Sequence, residues 1–192
     1  MPPSPIRAAR ERQRTEVMRA IAEVAIRLFG ERGFDEVTIE TVAREAGVSP
    51  ATLYRRFGTK ENLVCWAPDE QDALAGLLER LHDGAGVVQA ATDLVETFPD
   101  DAVDAVESTG RLRLELIAAH PQLGAAAHAK AAGFTTEVLA ATEGRDQRSR
   151  LERETEVACV VAAMDAGTAA WARGDGTLRT CMRTALATLR AC

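Results

Sequence analysis

Between residues 38 and 63 the apolar positions follow helical spacing in short bursts, and each burst ends in a turn signal. Ile39, Val42, Ala43 and Ala46 lie three, four and seven apart and form one apolar face of a two-turn helix, with the Thr38 hydroxyl ahead of it as an N-cap. Gly47 follows where a left-handed residue ends a helix at no steric cost, Val48 can turn inward as a plug, and Ser49-Pro50 supplies a new cap and a first-turn proline. A second helix therefore starts within a three-residue turn of the first. In it Leu53 and Phe57 share the inward face one turn apart, which leaves Ala51, Thr52, Tyr54, Arg55 and Arg56 on the other faces. Gly58 ends this helix and Thr59 caps the next. Lys60 falls in that helix's first turn, where its cation is poorly placed against the helix dipole unless an anion lies nearby.

Helical periodicity continues on both sides. Upstream, Val17, Ile21, Val24, Leu28 and Phe29 form a stripe that ends near Gly33, and Phe34 and Val37 cross to the next helix. Downstream, Ala and Leu abound and β-branched alternation is absent. The spacing predicts helices over about 60–82, 85–98, 101–120, 121–143, 148–173 and 176–191. Breaks fall at Gly84 and Gly86, Phe98-Pro99-Asp100, His120-Pro121, Gly144 and Gly174-Asp175-Gly176. Pro68 interrupts the first of these helices and predicts a kink or restart near 67–69; a harmless local bend is the other reading. The fold class expected is all-α, a three-helix head with a helix-turn-helix plus a helical body. The divisions are a basic, flexible arm over 1–14, a head over 15–66 and a body over 67–192.

Two readings of the second short helix remain. It can be a solvated helix with an amphipathic rim, since Gly-containing turns join helices in many proteins. Its outward residues also suit DNA: arginine forks onto guanine, threonine and alanine meet the thymine methyl, and tyrosine hydroxyls reach phosphates. In the last two helices, Leu178, Met182, Ala185, Leu186 and Leu189 form one seam, and 158–170 is Ala-rich with Val161, Met164 and Gly167. These stripes can pair across a twofold axis as half of a four-helix bundle, or face the chain's own core. A single helix-turn-helix reads few base pairs, and twofold pairing sets two heads about one helical turn apart, so a homodimer through these helices is expected.

Charge changes the picture once the chain is divided. The net charge of −6 over 192 residues argues against a nucleic-acid partner if read as a single number. Residues 1–66, however, carry 11 Arg and Lys against 9 Asp and Glu, net +2, while 67–192 carry 12 against 20, net −8. Arg7, Arg10, Arg12 and Arg14 add a basic stretch before the first helix, which can follow a DNA backbone or enter a minor groove, or can be no more than a tolerant terminus. No apolar run is long enough to span a bilayer and no signal-peptide pattern opens the chain, so a cytoplasmic protein is expected. Cys65, Cys159, Cys181 and Cys192 have no close pairing and read as ordinary core or surface residues; redox sensing by Cys181 and Cys192 would require them to meet across an interface. His82, His120 and His128 lack metal-ligand spacing, and neither a phosphate loop nor a nucleophile elbow occurs. No catalytic residue, metal or cofactor is expected.

Residues 38–63 resemble the DNA-binding signature of the TetR family of transcriptional regulators. The matching elements are Val37-Thr38-Ile39, Val42-Ala43, Ala46-Gly47-Val48-Ser49, Thr52-Leu53-Tyr54, Phe57 and Lys60-Glu61-Leu63, preceded by Ala25-Ile26-Arg27-Leu28-Phe29 and Gly33-Phe34. They cover about the first third of the chain. The resemblance implies phosphate contacts from Thr38, Ser49, Thr52, Tyr54 and Lys60, and base proximity for Ala51, Thr52 and Arg55. It further implies a sequence-specific transcriptional regulator, a repressor released from a palindromic operator by a small-molecule effector; the alternative is a DNA-binding regulator or architectural protein without a ligand. Trp66, Leu112, Glu115, Leu116, His120 and Trp171 are the candidates for lining an effector site, and each suits an ordinary core or surface position as well.

Overall fold

A computed structural model describes residues 5–97, 100–145 and 147–190. The described residues form helices and no strand: α1 (Pro5–Arg32), α2 (Ile39–Glu45), α3 (Pro50–Phe57), α4 (Lys60–Cys65), α5 (Pro68–His82), α6 (Val87–Thr97), α7 (Asp100–Ala119), α8 (Pro121–Thr142), α9 (Arg150–Arg173) and α10 (Leu178–Leu189). No helix among the described residues is long and apolar enough to cross a membrane. The expected break at Phe98-Pro99 and the cysteine Cys192 lie outside the described residues.

Two expectations change and a third holds. The stretch expected as a loose arm over 1–14 is helical from Pro5, because proline suits a first helical turn and Ala8-Ala9, Glu11 and Gln13 are good helix formers. Val17, expected in the apolar stripe, is 42% exposed; Ile21, Leu28 and Phe29 are buried as expected, Val24 packs against the core, and Met18, Ala22, Ala25 and Ile26 complete the buried face. The restart expected near 67–69 is present, so the stretch over 60–82 forms two helices. Trp66 takes an extended conformation, with φ −76° and ψ 123°, and the chain restarts at Pro68, whose ring disfavours helical backbone in the residue before it.

The chain divides into two compact units. The first joins residues up to Pro68 with Thr109–His128, and the second joins Asp69–Ser108 with residues from Ala129 onward. The grouping thus differs from a division at residue 66: the end of α7 and the start of α8, expected in the body, pack with the first four helices. Leu116 and Leu123 share a core with Ile26, Phe29, Val42, Leu53, Phe57 and Leu63, while Leu112 and Ile117 pack against it. Each such large apolar side chain contributes roughly 1.5–3 kcal/mol by leaving water.

In the second unit α5, α6, α8, α9 and α10 enclose Leu77, Leu81, Val87, Ala90, Val95, Val138, Val157, Val160 and Leu186. Val161, Met164, Met182, Ala185 and Leu189, all members of the two stripes that could pair across a twofold axis, pack against this same core. Of the two readings of those stripes, the structure takes the inward one. α9 and α10 approach closely at Gly167, where a Cβ would lie 2.8 Å from the Met182 Cα. Gly167→Ala should therefore lower stability by about 1–3 kcal/mol through overpacking against backbone. Gly133, on α8 with nothing within 4 Å of its Cβ direction, provides the control: Gly133→Ala should raise stability by up to about 1 kcal/mol. Opposite shifts of the unfolding midpoint are expected, and equal shifts would contradict the packing at Gly167.

Candidate nucleic-acid interface

The junction between α2 and α3 is closed by short-range hydrogen bonds and by one side chain that plugs into the core. Ala46 is the C-cap of α2 and Gly47 follows it with φ +67°, a conformation that costs L side chains but not glycine. The Gly47 amide donates to the Arg44 carbonyl at 3.2 Å and the Val48 amide to the Ala43 carbonyl at 2.9 Å, the two bonds of a Schellman ending. Val48, half-buried, packs on the first core. One residue later Ser49 caps α3: its Oγ accepts from the Thr52 amide at 3.2 Å and lies 2.9 Å from Thr52 Oγ1. Pro50 occupies the first turn, where a missing N–H costs nothing.

This geometry sets α3 with Leu53 and Phe57 inward, at 1% and 5% exposure, and the candidate contact residues outward. Tyr54 is 50% exposed, Ala51 and Arg55 are exposed, and Thr52 is half-buried beside Ser49. Thr38 caps α2; its Oγ1 accepts from the Thr41 amide at 3.2 Å while the residue stays exposed. Thr59 caps α4 in the same way, accepting from the Asn62 amide at 3.3 Å, and Asn62 Nδ2 returns a bond to the Phe57 carbonyl at 2.7 Å. Thr38, Ser49, Ala51, Thr52, Tyr54 and Arg55 thus all lie on the helix-turn-helix or at its caps.

Lys60 has neighbours within the chain that its local sequence does not announce. Its Nζ lies 4.3 Å from the centroid of the Phe34 ring, 5.6 Å from that of Phe29, and 3.5 Å from the Asp35 carbonyl oxygen. A cation in a helix's first turn is thereby partly offset by a π face and a carbonyl from the α1–α2 loop. Two further donors remain on the ammonium. Sequence reasoning did not single out Phe34 and Asp35 as part of the site, since they lie about 25 residues from Lys60 in the chain and no local pattern joins them.

Of the candidates for an effector site, five lie in the first unit and Trp171 in the second. Trp66 meets Phe57 edge-on at 5.8 Å and packs against the first core with Leu112; Leu116 is buried in that core; Glu115 is exposed; and the His120 ring lies 5.3 Å from that of Phe34, tilted by 45°. Trp171 is buried in the second unit at 1% exposure. A cavity of about 270 Å³ in the second unit is lined instead by residues 84–87, Thr142, Arg145 and Arg148, and Arg148 is paired with Glu156 at 2.5 Å. Among the described residues no three His, Cys, Asp or Glu side chains are placed to hold a metal ion.

Residues 21–64 match the model of the bacterial regulatory proteins of the tetR family. The chain is 31% identical over 134 residues to the mycofactocin biosynthesis transcriptional regulator MftR of Mycobacterium tuberculosis, a span covering 67% of this chain and 65% of that protein. The chain belongs to the TetR family. Its head is 46% identical over 46 residues to the HTH-type transcriptional regulator BetI of Brucella anthropi, which is 24% of either chain, so this chain spans about a quarter of the length of that relative. In fold it is similar to a TetR-family regulator from a Rhodococcus species, with TM-score 0.59 and 20% identity over 92% of this chain and 97% of that one. It is likewise similar to NalD of Pseudomonas aeruginosa, a secondary repressor of the MexAB-OprM efflux pump, with TM-score 0.57 and 19% identity over 94% and 96%.

The TetR-type head depends on its caps, and Ser49 is the test. Ser49→Ala should cost about 0.5–2 kcal/mol and Ser49→Gly only a few tenths, since glycine leaves the amide accessible to water. Chemical unfolding followed by circular dichroism checks this; equal losses would remove the capping role.

Proposed function

We propose that this chain is a sequence-specific DNA-binding transcriptional regulator that acts as a repressor and docks its two α3 helices on a pseudo-palindrome as a homodimer. The observation that carries this reading is the outward set on α3: Ala51, Thr52, Tyr54 and Arg55 stand clear of the core on a helix fixed by two caps. Thr38, Ser49, Thr52, Tyr54 and Lys60 supply the phosphate contacts, and Ala51, Thr52 and Arg55 approach the bases. Phosphate contacts set register and salt dependence, whereas Arg55 sets sequence preference.

Dimerisation uses the outer face of the last two helices, since their apolar stripes are spent on the core. Ala158, Ala162, Ala166 and Ala169 lie four, four and three apart on exposed α9, and Thr180, Thr184, Ala187 and Thr188 are exposed on α10. Such small residues let a second copy approach closely. Release by a small-molecule effector follows from differential affinity: a ligand that favours badly spaced heads weakens DNA binding by its coupling energy, typically ~1–3 kcal/mol. A regulator without an effector is the second reading, favoured by the commitment of Leu116, Leu112 and Trp66 to the first core and the burial of Trp171.

The probe is the intergenic DNA beside the chain's own coding sequence, carrying its inverted repeats. Tyr54→Ala and Lys60→Ala should each weaken binding across sequences and lower the salt slope by about one, while Arg55→Ala should relax preference at a base position. Wild-type affinity and slope in both of the first two variants would overturn the docking. In sedimentation at micromolar concentration the chain should run as a dimer and Ala162→Glu as a folded monomer; a monomeric wild type would remove the pairing.

A further inference from the structure

The corner between α7 and α8 touches the seat of Lys60 by two separate routes, all within the first unit. The His120 ring lies 5.3 Å from the Phe34 ring at 45°, and Phe34 carries the Lys60 ammonium at 4.3 Å. Two residues on, Gln122 Nε2 donates to Asp35 Oδ1 at 3.3 Å, and the backbone oxygen of that same Asp35 accepts from Lys60 Nζ at 3.5 Å. Phe34 is in turn braced edge-on by Phe29 at 5.0 Å. The corner itself is stiff: the His120 amide donates to the Leu116 carbonyl, its carbonyl accepts from the Leu123 and Gly124 amides at 3.0 and 3.1 Å, and Pro121 opens α8.

We infer that His120 and Gln122 are positioning residues for DNA docking, which hold Lys60 in its phosphate-facing pose through Phe34 and Asp35. The inference rests on the DNA-docking reading for its consequence and on these four contacts for its geometry. A lysine has a long, rotamer-rich side chain that loses much freedom when it binds an anion. Seating the ammonium on a ring and a carbonyl removes part of that loss beforehand while leaving donors for a phosphate. His120, a candidate for an effector site from sequence, thereby gains a role in the head. Any displacement of the 120–122 corner reaches the phosphate contact without passing through α2 or α3.

The test has one arm without DNA and one with it. In the full chain, the Lys60 Cε and Hε resonances should be displaced upfield by the Phe34 ring current. That displacement should shrink in His120→Leu and in Gln122→Ala, both of which leave the core side chains in place, and vanish in Phe34→Leu if that variant folds. Resonances unmoved in His120→Leu and Gln122→Ala would overturn the inference. On DNA, the same two variants should raise Kd about twofold to fivefold, the fold-change of one exposed cation–π contact, and lower the salt slope by up to about one. Both effects should be absent in a Lys60→Ala background. Effects undiminished in that background would mean that His120 and Gln122 act structurally, and would overturn the assignment. A ring-current change in the free protein, together with DNA affinity indifferent to Lys60→Ala itself, would uphold the positioning and sink the docking reading instead.

Discussion

A helix leaves four amides without partners at its start and four carbonyls at its end, and a chain that packs three short helices into 39–65 meets that cost repeatedly within one small head. The local devices that meet it hold the head together: Thr38, Ser49 and Thr59 each return a hydroxyl to an amide three residues on, and the Ala43–Val48 ending absorbs the carbonyls of α2. Helices of six to eight residues are far below the length at which propensity alone sustains them. Caps set their directions, and only then can Val42, Leu53, Phe57 and Leu63 meet α1 in one core. The outward course of Tyr54 and Arg55 is a by-product of that inward packing.

The same locality explains what is legible in the amino-acid order. Thr38, Gly47, Ser49-Pro50, Gly58 and Thr59 each act on neighbours within five residues, so the head's turns and the TetR resemblance are visible in the sequence alone. The break ahead of Pro68 is visible for the same reason, because a proline constrains its immediate predecessor. What escapes depends on distant parts of the chain. Lys60 reads locally as a cation in want of an anion, yet its neighbours Phe34 and Asp35 come from a loop 25 residues away. Leu116 and Leu123 carry no mark that sends them to the first core rather than the second. A seam such as Leu178 to Leu189 obeys the same periodicity whether it faces its own chain or another. The inward choice is made by tertiary packing at the Gly167–Met182 approach.

Small residues in this chain serve two ends. On the inner side of α9 they bring α10 close enough for backbone contact, and on the outer side Ala158, Ala162, Ala166 and Ala169 leave a shallow, low-entropy surface. The basic excess is confined to the head, so the two ends of one acidic chain present different electrostatic faces to their surroundings.

The sharing of one core by the first four helices and the 109–128 segment bears on how such heads can be exchanged between regulators. A cut at the extended Trp66, where the backbone leaves helix, looks like the natural place to graft one head onto another body. It would strip Leu116 and Leu123 from a core that holds Phe29, Leu53 and Leu63, and leave a foreign pair of helix ends to fill their place. A transplant that respects the packing takes two pieces of chain, residues up to 68 together with 109–128, and treats the recipient's own corner between α7 and α8 as part of the donor.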